Sequence, residues 1–185
     1  MMSELRDYCI MLTEIIPQKV YCYALIVFCL GIIISILTLG WRKGIRFSVL
    51  LMFVEYVSMI YGNTIFFRQK VVESVYDYAP FWSYSEILKG NTTAVLPEMI
   101  MNVTVFVPIG VLAGIIVPEP SWKKVLLIGV VLSVGIELLQ LSFNKGFAEF
   151  DDVFHNTIGC MIGYRIASVI VRFINIKNKC YGSKR

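Results

Sequence analysis

The chain has few charged residues for its length. Of its 185 residues, 16% are Asp, Glu, Lys or Arg, whereas 57% are hydrophobic. This balance excludes an ordinary soluble domain, in which about 25% of residues are charged. The net charge of +4 does not indicate nucleic-acid binding, because Lys and Arg collect at the ends of apolar segments, where they set membrane topology. The sequence predicts a membrane protein that lies in the lipid bilayer and has no nucleic-acid partner.

Patterns that mark other classes of protein are also missing. The five cysteines are odd in number, include no C-x-x-C pair and lie mostly in apolar runs, which excludes a disulfide framework or a cysteine metal site. The first 18 residues contain Glu4, Asp7 and Glu14 and lack the positive start and apolar run of a cleavable signal peptide. We therefore expect the first spanning helix to direct insertion.

What the sequence does contain is a series of long apolar segments. A helix that crosses the hydrocarbon core needs about 20 apolar residues, and five segments qualify: 20–39, 47–67, 98–117, 122–143 and 153–174. Residues 1–16 place apolar side chains at helical spacing with charges between them, which predicts a short helix lying in the membrane interface.

The predicted fold is therefore all-α, a polytopic membrane protein with one domain over residues 1–185. An interfacial segment, 1–19, precedes a bundle of about five transmembrane helices over 20–174, and a basic cytoplasmic tail, 175–185, follows it. In the long connection at 68–97, Phe81, Trp82 and Tyr84 most simply form an aromatic belt at the interface. The alternative is a segment that folds over a ligand or re-enters the membrane.

The distribution of positive charge predicts the orientation. With five spans, ten Lys and Arg residues lie at one side, in the first loop, the third loop and the tail, and six lie at the other. The positive-inside rule then places the amino terminus outside the cell and the carboxyl terminus in the cytoplasm of a bacterial cell membrane protein.

Polar residues are concentrated near one end of the predicted bundle. The stretch from Glu137 to Asn156 holds seven acidic or amide side chains and the single histidine. By the predicted orientation these residues share the outer part of the membrane with Asn102, near the start of the third helix. The candidate ligand-binding residues are Asn102, Glu137, Gln140, Glu149, Asp151, Asp152, His155 and Asn156.

The sequence leaves the roles of these residues open. A carboxylate within the membrane costs roughly 2.5 to 3.5 kcal/mol unless it is protonated or has a partner. Glu137 is thus a ligand, proton or cation site, or a buried hydrogen bond to Gln140, Asn102 or Asn156. Asp151 or Asp152 can cap the helix that follows.

The remaining carboxylates leave a choice between a ligand and a cation. They can hold a divalent cation at Glu149, Asp151 and Asp152, or receive the amines and hydroxyls of a sugar or peptide. Their spacing does not match an EF-hand, so no metal or other cofactor is assigned. His155 can act as an acid or base, but no Ser or Cys stands at a spacing typical of a nucleophile, and catalysis is not the leading hypothesis.

Three ordered motifs resemble the VanZ-like family of bacterial membrane proteins. They are N-x3-F-x-P-x-G-x-L from Asn102 to Leu112, E-L-L-Q from Glu137 to Gln140, and E-F-D-D-V-F-H-N-T-I-G-C-M-I-G from Glu149 to Gly163. Many members carry an Arg in the turn before the acidic residues, where this chain has Lys145, Gly146 and Phe147.

The resemblance implies an envelope protein related to one that gives low-level resistance to teicoplanin, a lipid-bearing glycopeptide. Our leading hypothesis is an outer polar pocket that binds such a glycopeptide or a cell-wall precursor. Two alternatives stay open: a membrane enzyme acting on a lipid-linked sugar or lipid headgroup, and a structural envelope protein without catalysis.

Overall fold

The chain folds into long helices joined by short connections. The computed structural model describes residues 18–39, 41–66, 68, 76–77, 80–117, 121–145 and 148–182. The predicted interfacial helix at 1–16 lies outside the described residues. The elements, in chain order, are α1 Gln18–Leu39, α2 Trp41–Tyr61 with a π-helical turn Gly62–Phe66, β1 Tyr76–Asp77, α3 Trp82–Leu88, α4 Thr92–Ile116, α5 Trp122–Phe143, β2 Ala148–Glu149 and α6 Phe150–Gly182.

The all-α membrane bundle that the sequence predicts is confirmed. Three helical segments are long and apolar enough to cross a membrane: Lys43–Phe66, Val95–Ile116 and Trp122–Phe143. Large apolar side chains cover the outward surfaces of these helices, as Leu127 and Val131 do on α5. Because such surfaces are unfavourable in water, they are the lipid-facing side of the bundle.

Two of the five predicted crossings stay predictions. The described apolar part of α1 is shorter, Leu25–Leu39, although the whole helix has 22 residues. The last helix, α6, has 33 residues and carries Asp151 and Asp152 in its first turn. At 1.5 Å per residue it is about 50 Å long, which is longer than the hydrocarbon core.

The helix boundaries differ from the predicted ones at three places. α4 begins at Thr92, not at residue 98, because Pro97 near the helix start removes only one backbone hydrogen bond. α6 begins at Phe150, not at residue 153, so Asp151 and Asp152 are helical and not part of the turn. It also continues to Gly182, through most of the predicted tail, since the tail contains no proline and no glycine before that residue.

The tightest packing lies between α4 and α6. A Cβ added at Gly159 would overlap the carbonyl oxygen of Val103, and one added at Gly163 would overlap that of Val107. From the opposite side, Gly110 contacts the carbonyl group of Cys160 in the same way. These glycines therefore bring the two backbones together.

A stripe of polar and small residues on α5 faces the bundle. Gly129, Ser133, Glu137 and Gln140 are all buried, and a Cβ at Gly129 would lie 2.9 Å from that of Cys160 on α6. Asn144 is the exception, because it ends α5 in a left-handed conformation with φ 53°. α5 thus directs its polar side chains into the bundle, where Ser133 contacts α6, Glu137 contacts β2 and Gln140 lies beside the π-helical turn.

Candidate functional site

The polar residues meet at one end of the bundle, where α2 and α5 end and α4 and α6 begin. We call this region the polar end. Across 50 residues of sequence, the Asn102 side-chain amide of α4 donates a hydrogen bond of 2.6 Å to Asp152 of α6. Because α5 ends where α6 begins, Glu137 near the end of α5 reaches the start of α6. The predicted convergence of these three helices is therefore observed.

Glu137 has a different partner from those the sequence suggested. Its carboxylate accepts the backbone N–H of Glu149 at 3.0 Å, and not a side chain of Gln140, Asn102 or Asn156. The bond satisfies a backbone donor that precedes α6 and would otherwise be exposed to the membrane boundary. Glu137 is buried, so the contact fixes the α5–α6 turn from inside.

The sequence allowed Asp151 to cap its own helix, α6, but in the structure it caps another one. Its two carboxylate oxygens accept the backbone N–H groups of Phe81, at 2.6 Å, and Ser83, at 2.9 Å. These are the first amides of α3, which has no side-chain cap of its own. A fully buried residue of α6 thus caps a helix that lies about 70 residues earlier in the chain.

The backbone of Phe81 is strained at this contact. Its φ and ψ are 64° and 26°, in the left-handed region, which costs a residue with a side chain roughly 1 to 2 kcal/mol. Hydrogen bonds to a charged acceptor contribute about 1.5 to 3 kcal/mol each. The two bonds to Asp151 therefore offset the strain and hold α3 in place.

Two further side chains fasten α3 to the polar end. The Trp82 indole N–H donates to Glu149 at 3.1 Å, and the Tyr84 hydroxyl lies 3.2 Å from Nε2 of His155. We call the contacts of α3 with Glu149, Asp151 and His155 the α3–α6 contact. Because Trp82 is half-buried and bonded to the acidic residues, the aromatic stretch covers part of the polar end and is more than an interfacial belt.

The same connection is joined to the α5–α6 turn by its backbone. β1 and β2 pair in parallel, with Tyr76 opposite Ala148 and Asp77 opposite Glu149. The Lys145 ammonium also donates to the backbone carbonyl of Arg68. The long connection and the acidic turn therefore form one structure at this end.

The remaining predicted residues hold the bundle. Asn156 donates to the Ser133 hydroxyl at 2.8 Å in the buried α5–α6 interface. Gln140 lies 3.5 Å from the Thr64 carbonyl of the π-helical turn, which is a long contact for a hydrogen bond. Both side chains are buried, and both point toward neighbouring helices.

The sequence did not indicate two charged residues of the polar end, Arg68 and Glu98. The charge of Arg68 acts on Glu98, Glu137 and Asp152, although Arg68 itself is exposed. Arg68 follows the π-helical turn at the end of α2. No spacing in the sequence marks this approach, because it depends on how α2 and α5 pack.

The Glu86 side chain of α3 accepts hydrogen bonds from residues close to it in sequence. The Lys89 ammonium, at 2.7 Å, and the Asn91 amide hold the pKa of the Glu86 carboxyl below its usual value. Glu86 therefore closes the far end of α3 and provides a carboxylate outside the polar cluster for comparison.

The carboxylates of the polar end have separate partners. Among the described residues, no group of three or more His, Cys, Asp and Glu side chains is placed to hold a metal ion. Asp151 is occupied by two backbone amides and Asp152 by Asn102. In this structure these two carboxylates accept hydrogen bonds from N–H groups.

Comparison with known proteins adds a family relation. The VanZ/LLP1 family model matches residues 20–172. Over 80 residues the chain is 31% identical to Protein VanZ from Enterococcus faecium, a match that covers 43% of this chain and 50% of that protein. The chain thus spans about half the length of this curated relative. No solved structure matches this chain.

Proposed function

Because this chain belongs to the VanZ/LLP1 family, we propose that it contributes to low-level glycopeptide resistance from the bacterial cell membrane. The polar end faces outward and binds a lipid-bearing glycopeptide such as teicoplanin, or a cell-wall precursor. The connection to glycopeptides rests on the family resemblance and on the similarity to Protein VanZ.

The observation that carries the proposal is the excess of carboxylates at the polar end. Glu98, Glu137, Glu149 and Asp152 act on one another electrostatically, and one nearby cation, Arg68, offsets part of this charge. Carboxylates accept hydrogen bonds strongly from amines and hydroxyls. Sugars and peptides of the cell envelope supply such donors, and a lipid tail would place them at this depth.

The test is a susceptibility panel in a glycopeptide-sensitive host. Wild-type protein should raise the inhibitory concentration of teicoplanin more than that of vancomycin. Glu137→Gln and Asp152→Asn should abolish the increase, because each removes an ionisable carboxyl group while an amide oxygen can still accept the bond from Glu149 N–H or Asn102. Membrane abundance is followed by immunoblot.

Glu86→Gln is the matched control, since this carboxylate lies on α3 and pairs with Lys89. It should leave resistance unchanged. Loss of resistance together with loss of the protein would favour the structural alternative, in which these side chains hold the bundle. An equal change for both antibiotics, or none, would contradict the proposal.

One observation favours the enzymatic alternative. His155 is 3% exposed, its Nε2 lies beside the Tyr84 hydroxyl, and its buried Nδ1 has no hydrogen-bond partner among the described residues. A histidine with one ring nitrogen in a hydrogen bond and the other without a partner is suited to acid or base chemistry.

If this pair acts on a lipid-linked sugar or a lipid headgroup, cells with the wild-type protein should show a changed lipid or precursor profile by mass spectrometry. Tyr84→Phe and Asp152→Asn should abolish the change at normal abundance. An unchanged profile with intact resistance would leave binding as the function.

A further inference from the structure

The outward side of α6 carries a positive charge in the half of the helix that lies away from the polar end. Arg165 is exposed. At helical spacing its neighbours on the same side are the apolar residues Phe154, Ile158, Ile162 and Val169. Three of these, Phe154, Ile162 and Val169, are themselves exposed. An arginine within a surface that otherwise faces lipid is unfavourable unless its charge has a partner.

Contacts of α6 with α4 and α5 fix the depth of Arg165. A Cβ added at Gly114, near the end of α4, would lie 2.8 Å from the Cβ of Ala167. The Cys160 thiol donates to the Val125 carbonyl, in the first turn of α5, at 3.6 Å. Because α5 runs opposite to α6, its first residue lies about 4.5 Å beyond Val125, and Arg165 lies about 7.5 Å beyond Cys160 in the same direction. Arg165 is therefore level with the ends of two candidate membrane spans, α4 and α5.

A second arginine lies on the same side of α6. Arg172 is exposed and follows Arg165 by two turns, about 10.5 Å along the axis. Side chains of a helix lean toward its amino terminus, so Arg172 leans toward Arg165. Within the described part of the chain, no hydrogen bond or ion pair engages either guanidinium group. The α4–α5 connection has one acidic residue, Glu119, but Lys123 and Lys124 follow it, so this end of the bundle keeps a net positive charge.

We propose that this side of α6 binds an anionic phospholipid, with the lipid phosphate between Arg165 and Arg172 and the acyl chains against the apolar residues toward the polar end. A guanidinium group has paired N–H donors that match the oxygens of a phosphate. Phosphates of a leaflet lie just outside the hydrocarbon core, which is the level of Arg165. A net negative lipid is favoured over a zwitterionic one, because the two arginines bring two positive charges.

The apolar residues beside Arg165 distinguish a lipid from a soluble anion. Ile158 and Ile162 lie one and two turns closer to the polar end on the same side of α6. They add nothing to the binding of free phosphate, whereas an acyl chain that descends from a phosphate at Arg165 lies along them. The ligand is therefore an amphiphile whose charged group stays at the membrane boundary.

The test is native mass spectrometry of the full chain in detergent, titrated with phosphatidylglycerol or phosphatidylcholine, which gives the dissociation constant of the first lipid bound. Wild-type protein should bind phosphatidylglycerol more tightly. Arg165→Gln should weaken its binding by about fivefold, as expected for one basic residue at an anionic headgroup, and should leave phosphatidylcholine binding unchanged. Arg165→Lys keeps the charge and should retain most of the preference.

Lys123→Gln is the matched control, since it removes an exposed cation from the same end of the bundle but from α5. It should leave the preference unchanged, and inorganic phosphate should not displace phosphatidylglycerol. The proposal is overturned if the wild type binds both lipids equally, if Arg165→Gln keeps the preference, if Lys123→Gln lowers it as much, or if inorganic phosphate competes. None of these variants changes the polar end, so the result is independent of the proposed function.

Discussion

The α4–α6 interface and the α1–α2 hairpin join helices in different ways. In the first, glycines on both helices contact the opposing backbone, so there is no room for a side chain. In the second, a Cβ at Gly44 would overlap the backbone of Ser35 near the turn, whereas farther along the helices Gly31 meets only the end of the Leu51 side chain. One interface is fixed by backbone contact along its length, whereas the other has such contact near its turn and depends elsewhere on side chains that can adjust.

The comparison shows how the protein places its polar residues. Asn102 and Asp152 lie on the rigid pair α4 and α6, so their separation is set by the glycine contacts below them. Functional side chains are held most accurately on such a frame. An apolar groove lies where the hairpin meets this frame, lined by residues of α1, α2 and α4.

The largest effect is expected from a substitution that disrupts the α4–α6 interface. Gly163→Val should destabilise the bundle by about 3 kcal/mol or more, because its Cβ would overlap the Val107 carbonyl and neither backbone can move freely. Thermal unfolding in detergent, followed by size-exclusion chromatography, measures the loss. Gly31→Ala is the control and should change the midpoint little, since its Cβ would lie 3.0 Å from a flexible Leu51 methyl group. Equal midpoints for both variants would contradict the comparison.

A smaller and more local effect is expected at the α3–α6 contact. Asp151→Ala should destabilise the docked position of α3 by about 2 kcal/mol, since the Phe81 and Ser83 amides lose their acceptor. Hydrogen–deuterium exchange in α3 should become faster while α4 keeps its protection. If α4 exchanges faster as well, Asp151 supports the whole frame.

The smallest effect is expected in the hairpin. Ser48→Ala removes the hydrogen bond to Ser35 and should cost less than about 1 kcal/mol, since hydrogen bonds between membrane helices average roughly 0.6 kcal/mol. Unfolding in mixed detergent micelles measures it, with Ser58→Ala as the control because that hydroxyl bonds only within α2. A loss as large as that of Gly163→Val would show that the hairpin is not the adjustable part.

Much of the helical framework is predictable because it follows from composition. The α5 boundaries, Trp122 and Phe143, agree with the predicted span, since an apolar run between charged residues leaves little choice. The close approach of α4 and α6 also follows from small residues at regular spacing. The sequence predicted a shared depth for Asn102 and Asp152, and the structure adds the hydrogen bond between them.

The partners at the polar end could not be predicted in the same way. Asp151 was a candidate cap of its own helix because helix starts commonly carry acidic residues. Its carboxylate oxygens instead accept hydrogen bonds from a segment that is distant in sequence. α3 has seven residues, too few to be stable alone, so no local pattern indicated it. Arg68 reaches the carboxylates only through packing of α2. Such pairings depend on tertiary structure, which periodicity does not describe.

The contacts that hold α3 also set an order of events during synthesis. Each of them joins residues 67 to 71 positions apart. At a synthesis rate of about 5 to 20 residues per second, roughly 3 to 13 seconds pass between the emergence of Trp82 and that of its acceptor. During that interval α4 and α5 are made, while the aromatic segment waits without its partners. Docking of α3 is thus a late step, and it reports that the last helix has arrived.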